Sequence, residues 1–390
     1  MKLNALERRA AAALALVVSL RMFGLFLILP VFAAQARAYP DAVPWLIGLA
    51  LGVYGLGQAL LQLPYGLLSD RVGRRPAISL GLLVFALGGL VAALATTLKG
   101  VVLGRALQGM GAVSGAGLAL AADLSRDAVR GKVMAIIGAS IGLAFVLALV
   151  AGAPLFALGG LPLLFALTAV LALASLALLW AVVPAPARSM PVAVSPGALR
   201  RALADPRLLL LDLSVFVLHV LLTAAFVALP TLLVDRLGLP LARHWQFYLP
   251  VMVVAAGCLP LFVGGRQAAL EGLGRRQALA LLLAAGGLAL LAGGQGPMLL
   301  AVAGCAFFAG FTALEALLPT LVSRLAPEHG RGAALGAYSG LQFLGAFVGG
   351  LVGGVLLGRL GEAQVLAAAA ALALGWTAVL WVLGRRLRGG

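Results

Sequence analysis

Long apolar runs recur along the whole chain, and they constrain its fold more than any other feature. Each run is close to the roughly 20 residues that a helix needs to cross a bilayer. Backbone polar groups cannot stay unpaired in lipid, so such runs must be helical, and the ten-residue alternation of a membrane β-barrel does not occur. The sequence predicts twelve spans, at residues 10–34, 44–68, 77–97, 100–122, 132–156, 161–183, 207–234, 244–264, 277–293, 297–323, 332–357 and 363–384.

The composition excludes an ordinary soluble protein. Of the 390 residues, 63% are apolar and 10% are charged, whereas soluble domains are about 45–50% apolar and about 25% charged. Cys258 and Cys305 have neither disulfide nor zinc spacing, and the three histidines are too dispersed to form a metal site. No nucleophile constellation or nucleotide-binding motif occurs, so we predict neither an enzyme nor a bound cofactor.

The net charge of +16 follows the predicted topology. With the N-terminus in the cytoplasm, 21 of the 28 Lys and Arg residues fall in cytoplasmic segments, five fall outside, and two, Arg21 and Arg105, lie within spans. Cytoplasmic loops of membrane proteins carry such an excess of cations. The charge therefore predicts a multi-pass protein of the inner membrane with both termini in the cytoplasm, and it does not indicate nucleic-acid binding.

The two halves of the chain share short motifs at a nearly constant offset. Three motifs recur 200 or 201 residues further on: Phe26-x-x-Leu29-Pro30 at Phe226-x-x-Leu229-Pro230, Gly73-Arg74-Arg75 at Gly274-Arg275-Arg276, and Arg130-Gly131 at Arg331-Gly332. Such an offset indicates a parallel repeat of six helices plus six, with the substrate site between the halves. We predict six-helix bundles at residues 1–183 and 207–390, joined by a proline-rich cytoplasmic linker at 184–206.

The loop between predicted spans 2 and 3 carries a specific motif. It reads Gly66-x-x-x-Asp70-Arg71-x-Gly73-Arg74-Arg75. This pattern resembles motif A of the major facilitator superfamily, whose members are secondary transporters with twelve helical spans. The resemblance implies a latch that closes the cytoplasmic side in the outward-open state, with Asp70 facing the N-terminus of span 11 near Gly332. A helix N-terminus favours an anion by about 0.3–1 kcal/mol.

Two further charged residues are predicted to join this latch. Asp123 ends span 4, where it can pair with a motif A arginine; the alternative is a solvated helix end. Arg130 lies in the next cytoplasmic loop. The second copy of the motif is degraded, because Glu271 stands in place of the aspartate and Gly272 in place of the following arginine. Gating is therefore expected to depend on the first copy.

Spans 4 and 5 carry partial matches to other motifs of the family. Gly104-Arg105-x-x-x-Gly109-x-Gly111 resembles motif B, and the resemblance implicates Arg105 in proton coupling. The alternative is an arginine that snorkels to the outer surface. The glycine pattern of the antiporter motif is interrupted at Gly152-Ala153-Pro154. The sequence therefore leaves antiport, symport and uniport open.

Two regions resemble the YajR branch of bacterial drug:proton antiporter-like transporters. They are Leu20–Pro30 in span 1, and Leu314–Pro319 with Tyr338–Gly345 in spans 10 and 11. Members of that branch often carry an additional cytoplasmic domain at the C-terminus. We expect this chain to lack that domain, because it ends five residues after Arg385.

Acidic residues within the spans are scarce, and they define a hypothesis for proton coupling. Glu315 in span 10 is the expected proton-titrating group, with Asp212, His219 and Arg105 as further members of the pathway. Ionisable residues inside a membrane are costly and mark proton or substrate pathways. The alternatives are a structural hydrogen bond for Glu315 and a packing role for His219.

A substrate cavity with an apolar lining and few polar groups is predicted between the halves. Its candidate residues are Arg21, Phe26, Tyr54, Gln58, Gln342 and Phe343. Arg21 lies near the middle of span 1, where a charged side chain favours a cavity over lipid. It would bind an anionic group or modulate the proton carrier. The aromatic residues have the alternative of helix packing or lipid contact.

These features predict a monomeric secondary transporter that works by alternating access and exports small amphipathic or drug-like compounds in exchange for protons. The alternative within transport is a proton symporter or a uniporter of a metabolite. The alternative from another class is a non-transporting membrane sensor on the same scaffold. Motif A and the intramembrane charges argue against a sensor, because a rigid scaffold needs neither. The identity of the substrate does not follow from the sequence.

Overall fold

The computed structural model describes residues 3–184, 204–263, 275–326 and 331–386. Within these ranges the chain is helical and contains no strand. The helices are α1 (Ala5–Phe26), α2 (Phe32–Gln35), α3 (Pro44–Val72), α4 (Arg74–Leu94), α5 (Leu98–Met110), α6 (Ser114–Asp123), α7 (Asp127–Ala181), α8 (Pro206–Leu237), α9 (Trp245–Val263), α10 (Arg275–Gly293), α11 (Pro297–Leu325), α12 (Arg331–Leu360) and α13 (Glu362–Arg386).

The described helices make twelve membrane crossings once two irregular sites, one within α7 and one between α5 and α6, are taken into account. In the described chain, ten helical segments are long and apolar enough to cross a membrane. Helix α7 has 55 residues and would be about 80 Å long if it were straight. Gly159 and Gly160 leave helical geometry and divide α7 into two crossings; Gly160 has a φ of 67°, which favours glycine. Helices α5 and α6 form one crossing, interrupted at 111–113. The predicted all-helical membrane fold is confirmed.

The boundaries of α1 differ from the prediction at both ends. The helix begins five residues earlier, at Ala5, because Asn4 and Glu7 form a capping box in which each side chain accepts the other's backbone N–H at 2.8 Å. It ends at Phe26, and the chain turns at 27–31 before α2 begins. Pro30 has no N–H to donate and so does not continue the helix through this turn.

The helices form two groups that pack mainly among themselves. Helices α1 and α3–α7 contact one another, as do α8–α13. Between the groups, α3 packs along α12, and α7 contacts α9. Most of the predicted linker, residues 185–203, lies outside the described residues. Helix α8 begins at Pro206, where the carboxylate of Asp205 accepts the N–H of Arg207 at 2.8 Å.

Large apolar side chains cover the outside of the bundle. Leu94, Leu158, Leu261 and Met298 are each at least 78% exposed. Soluble monomers rarely expose contiguous apolar surface on this scale. Lipid contact accounts for these side chains, whereas polar side chains within the spans, such as Arg21, Gln58 and Asp212, are buried inside the bundle.

Candidate functional site

Glycines close the end of the bundle at which α3 begins. A Cβ on Gly48 would lie 2.1 Å from the carbonyl oxygen of Gly350, and one on Gly55 would lie 2.3 Å from that of Phe343. Only residues without a Cβ permit such a close approach of two helix backbones. The contact, called the glycine seam below, comprises Gly48, Gly52 and Gly55 of α3 and Gly350 and Gly354 of α12.

Two polar contacts also join the halves at this closed end. The imidazole Nδ1 of His244, a fully buried residue, lies 2.8 Å from the carbonyl oxygen of Pro30. Arg37 and Asp235 form an ion pair at 3.5 Å, with both side chains about half exposed. Exposed pairs of this kind contribute at most about 1 kcal/mol. The ion pair therefore adds little to the closure at this end.

Asp41 ties the loop before α3 to the first turn of α5 at the same end. Its carboxylate accepts the N–H of Leu98 at 2.6 Å and that of Lys99 at 3.1 Å. Desolvation opposes ionisation, but the amide donors and the Lys99 cation outweigh it and lower the pKa of Asp41 from its ordinary value of 3.8. Asp41 therefore holds this loop as long as it is ionised.

At the opposite end of the bundle, which carries motif A, the described glycines of the two halves do not approach each other. A Cβ added to Gly332, Gly336 or Gly340 of α12 would meet no described atom within 4 Å. The same holds for Gly138 and Gly142 of α7. Since α12 contacts the α3 backbone at the closed end, the two halves diverge towards motif A. The space between these diverging described helices is called the cleft below.

The motif A side chains form an ion-pair network within the first half. Arg74 is 4% exposed, donates from Nε to Asp123 at 3.0 Å, and contacts Asp70 through Nη1. Gly73 has a φ of 94° and makes the turn between α3 and α4. Arg74 thus joins Asp70 and Asp123. Among the described residues, the Asp70 carboxylate pairs with Arg74 of its own loop, and no hydrogen bond or ion pair joins it to α12.

The remaining residues predicted for the latch lie around this network. The guanidinium of Arg75 is 5.6 Å from the ring centroid of Trp180 and donates to a carbonyl at the end of α7. Arg71 is exposed, and Gly66 has open space around its Cα. Arg130 is exposed on the first turn of α7. The second motif copy at Glu271 and Gly272 lies outside the described residues.

An ion pair that the sequence analysis missed joins α1 to the start of α7. Arg126 binds both carboxylate oxygens of Glu7, at 2.7 Å and 2.9 Å. Glu7 is 2% exposed and also closes the α1 capping box with Asn4. The spacing Asn4-x-x-Glu7 is a helix-start signal, so the cap was visible in the sequence. The partner Arg126 was not.

Arg21 is a buried link inside the first half. It is 2% exposed and donates to the hydroxyl of Tyr54 and the carbonyl of Gly111, each at 3.0 Å. It also lies 3.3 Å from the hydroxyl of Ser114 and 5.0 Å from the ring centroid of Phe85. Gly111 stands at the interruption between α5 and α6. The guanidinium therefore connects α1, α3 and this interruption rather than lying open to the cleft.

Arg105 is buried as well, and it does not snorkel to the surface. It is 3% exposed, donates to the side chain of Gln108 at 3.0 Å, and lies 5.1 Å from the ring centroid of Tyr54. Gln58 is fully buried and donates to the carbonyl of Gly109 at 3.0 Å. Both side chains therefore support contacts between α3 and α5.

Within the membrane, the buried cations belong to the first half and the carboxylates to the second. In the described chain, no carboxylate lies within 4 Å of Arg21 or Arg105, and no Lys or Arg lies within 4 Å of Asp212 or Glu315. One buried oxygen of each carboxylate lacks a hydrogen-bond partner there. Buried polar groups without partners are costly. Among the described residues, the second half therefore holds intramembrane carboxylates with no cation beside them.

Glu315, His219 and Gln342 come together on α11, α8 and α12, and we call them the Glu315 cluster. The Nε2 atom of His219 lies 3.7 Å from Oε1 of Glu315 and 3.0 Å from Nε2 of Gln342. The Glu315 side chain is 33% exposed and that of His219 is 11% exposed. The cluster thus combines a partly solvated carboxylate with a buried imidazole. It brings together two predicted proton groups and one predicted cavity residue.

Asp212 lies two turns before His219 on α8 and is 1% exposed. Tyr338 of α12 is 5% exposed and lies near both Asp212 and Glu315. The sequence analysis did not select Tyr338 as a site residue. A lone tyrosine in an apolar span has no spacing that would mark it.

Aromatic rings connect the two halves near the middle of the bundle. Phe145 of α7 contacts Phe26, Phe226 and Phe311 at centroid distances of 5.0, 6.5 and 6.1 Å. A second pair, Tyr54 with Phe343, joins α3 to α12 at 6.1 Å. These rings pack against one another beside the Glu315 cluster, where the Phe311 ring lies 6.0 Å from that of His219. The sequence analysis did not select Phe145 or Phe311.

Comparison with known proteins identifies the family. Residues 12–349 match the family model described as Major Facilitator Superfamily. The chain belongs to the major facilitator superfamily. It is 41% identical over 382 residues to the inner membrane transport protein YajR of Escherichia coli (strain K12), which covers 96% of this chain and 83% of that protein.

A further relative and a solved structure are also similar to this chain. Multidrug resistance protein D of the same bacterium is 38% identical over 117 residues, 29% of this chain and 28% of that protein. A bacterial homologue of the human lysosomal transporter Spinster, solved in an inward-facing and unoccupied conformation, has a TM-score of 0.77 at 16% identity over 98% of both chains. The resemblance to the YajR branch is confirmed. So is the prediction of a multi-pass membrane transporter rather than an enzyme.

Proposed function

We propose that this transporter exports small amphipathic compounds in exchange for protons, by rocking of its two halves around the central cleft. The observation that carries the proposal is the Glu315 cluster. Its carboxylate is partly exposed, yet its Oε1 atom is buried without a hydrogen-bond partner in the described chain. A reversible proton carrier needs access to water together with an environment that changes between states. Asp212 and His219 are the proposed accessory proton groups.

The cleft itself supports an amphipathic substrate. Ligand pockets combine an apolar, aromatic lining with a few placed polar groups. Here the rings around Phe145 lie beside the Glu315 cluster, and Tyr54 and Phe343 extend the aromatic surface towards α3. The match to a protein named for multidrug resistance favours export of drug-like compounds, although it covers 29% of the chain.

The conformation fits the inward-open state of such a cycle. We propose that the protein lies in the inner membrane and that its motif A end faces the cytoplasm, as the distribution of Lys and Arg predicts. On this orientation the glycine seam closes the outer side, and the latch is released. In the outward-open state, the Asp70 carboxylate would leave Arg74 and bind the N-terminus of α12 near Gly332.

The proposal is tested with purified protein in proteoliposomes that carry an internal pH dye and an imposed pH gradient. A panel of amphipathic compounds is added, and both proton and compound movements are followed. We expect protons to move opposite to the compound. Glu315→Gln should abolish proton movement, whereas the matched control Glu362→Gln, in the first turn of α13, should retain it.

Other outcomes assign the other functions. Proton movement in the same direction as the compound indicates a symporter, and compound movement without protons indicates a uniporter. No movement of any compound favours a sensor. If Glu315→Gln transports with an unchanged pH dependence, the proton role of Glu315 is wrong.

A further inference from the structure

The Nε2 atom of His219 is within reach of two groups that compete for it. The amide nitrogen of Gln342 is 3.0 Å away, and Oε1 of Glu315 is 3.7 Å away. This Glu315 oxygen is buried and has no hydrogen-bond partner among the described residues. An unsatisfied carboxylate oxygen therefore lies beside a ring nitrogen that an amide from another helix already binds.

The backbone of α8 sets the tautomer of His219. Its Nδ1 atom lies 3.1 Å from the carbonyl oxygen of Val215. A carbonyl only accepts hydrogen bonds, so Nδ1 carries the hydrogen and, in the neutral ring, Nε2 offers one lone pair. The amide nitrogen of Gln342 is a donor. The 3.0 Å contact is thus a hydrogen bond from Gln342 to His219.

Protonation of Glu315 changes which group can use this lone pair. An ionised carboxylate only accepts, so it cannot bond to Nε2 of this tautomer, and Gln342 keeps the position. A protonated carboxyl has an O–H donor, and a movement of about 1 Å brings it from 3.7 Å to hydrogen-bond distance. One lone pair accepts one strong hydrogen bond. Binding of the Glu315 carboxyl therefore displaces Gln342.

The other titratable groups near Glu315 come from α8 and α12, two of the helices that contact α11. They are His219 and Asp212 of α8 and Tyr338 of α12, one turn before Gln342. In the described chain no Lys or Arg lies within 4 Å of Glu315. No cation thus fixes the charge of this carboxylate, and its protonation state is free to change with the cycle.

We infer that Gln342 is a positioning residue that couples protonation of Glu315 to the position of α12. Helix α12 carries the glycine seam at one end and, at the other, the N-terminus predicted to meet Asp70. Protonation releases Gln342 and frees the middle of α12, and deprotonation lets His219 hold it again. This inference rests on the proposed role of Glu315 as the proton carrier.

The first test is a double-mutant cycle read by infrared spectroscopy. The carboxylic C=O band that disappears in Glu315→Gln reports protonation of Glu315. In Gln342→Met the competitor is removed and the length of the side chain is kept. The protonated Glu315 carboxyl then bonds to Nε2 without competition. The midpoint of Glu315 protonation should therefore rise by about half to one pH unit, which corresponds to one net hydrogen bond. In a His219→Phe background, Gln342→Met should not move the midpoint.

The second test follows the helix directly. Spin labels at Val72 and Gly332, both exposed at the motif A end, report the distance between α3 and α12 as the pH is changed. We expect a pH-dependent distance in the otherwise unmodified protein and its loss in Gln342→Met. A packing role alone would leave that pH dependence in place.

Three results would overturn the inference: equal midpoint shifts in both backgrounds, no shift in either, or a pH-dependent distance that survives Gln342→Met. Failure of the proposed function has a different signature. In that case the Glu315 band does not titrate, or Glu315→Gln leaves the pH dependence of transport unchanged.

Discussion

One methyl group added to the glycine seam should open the end of the bundle that the seam closes. A Cβ on Gly48 would lie 2.1 Å from the carbonyl oxygen of Gly350, and ordinary contact begins near 3.4 Å, so α3 and α12 must separate by about 1.3 Å. The obstructing atom belongs to the backbone, so no rotamer change relieves it. Overpacking of this kind costs about 1–3 kcal/mol.

Only the closed arrangement bears this cost. The ratio of open to closed molecules at that end should therefore rise by about 5-fold to about 150-fold. The assay is the distance distribution between spin labels at Ala38 and Pro240, two exposed positions at that end, in protein whose Cys258 and Cys305 are replaced by Ala. Gly48→Ala should add a long-distance population.

The matched control is Gly375→Ala on α13, where an added Cβ meets no described atom within 4 Å. It introduces the same methyl group into a transmembrane helix without the backbone conflict, and it should leave the distances unchanged. Identical distance distributions for Gly48→Ala and Gly375→Ala would refute the reasoning from close approach.

Three further predictions concern single side chains. Arg21→Met leaves Tyr54 and the Gly111 carbonyl without their donor, so it should lower the midpoint of thermal unfolding through a loss of about 1–3 kcal/mol. Asp70→Asn weakens the outward-open latch by about 0.3–1 kcal/mol, so the motif A end should be open about 2-fold to 5-fold more often in spin-label distances. Because the pKa of Asp41 is lowered on folding, its ionised carboxylate stabilises the folded protein fully above pH 3.8, and this stabilisation is lost as the pH falls through the folded-state pKa. Asp41→Asn should therefore reduce the fall of the unfolding temperature at acid pH.

Each of these has a result that contradicts it. An unfolding midpoint of Arg21→Met equal to that of the unmodified protein would show that the guanidinium does not hold the first half together. Unchanged distances at the motif A end in Asp70→Asn would remove the latch. A fall of the unfolding temperature at acid pH that is just as steep in Asp41→Asn would assign the pH dependence to other carboxylates.

The twelve crossings were predictable because hydropathy and span length depend on local sequence alone. The break at Gly159 and Gly160 was visible for the same reason. The start of α1 at Ala5 was not predicted, because its capping box at Asn4 and Glu7 precedes the apolar run on which the prediction of span 1 was based. Pro30 was included in span 1, since its neighbours are apolar and hydropathy does not register a missing N–H.

Contacts between distant residues were beyond a single sequence. His219 and Gln342 are 123 positions apart, and the spacing within each helix does not say which helix faces meet. The sequence indicated that Arg21 needs polar partners, but it did not distinguish a water-filled cavity from the Tyr54 hydroxyl and a backbone carbonyl. The predicted contact of Asp70 with α12 belongs to one of two conformations that the same sequence must allow.

The partners of Arg21 also bear on how the chain is made. A charged residue at the centre of a span costs about 2.5–3.5 kcal/mol on insertion, so the arginine weakens α1 as an isolated membrane anchor. Its hydrogen-bond partners Tyr54, Gly111 and Ser114 all lie within the first 114 residues. Helices α1, α3, α5 and α6 can therefore assemble around the arginine during synthesis, before any of the second half has left the ribosome.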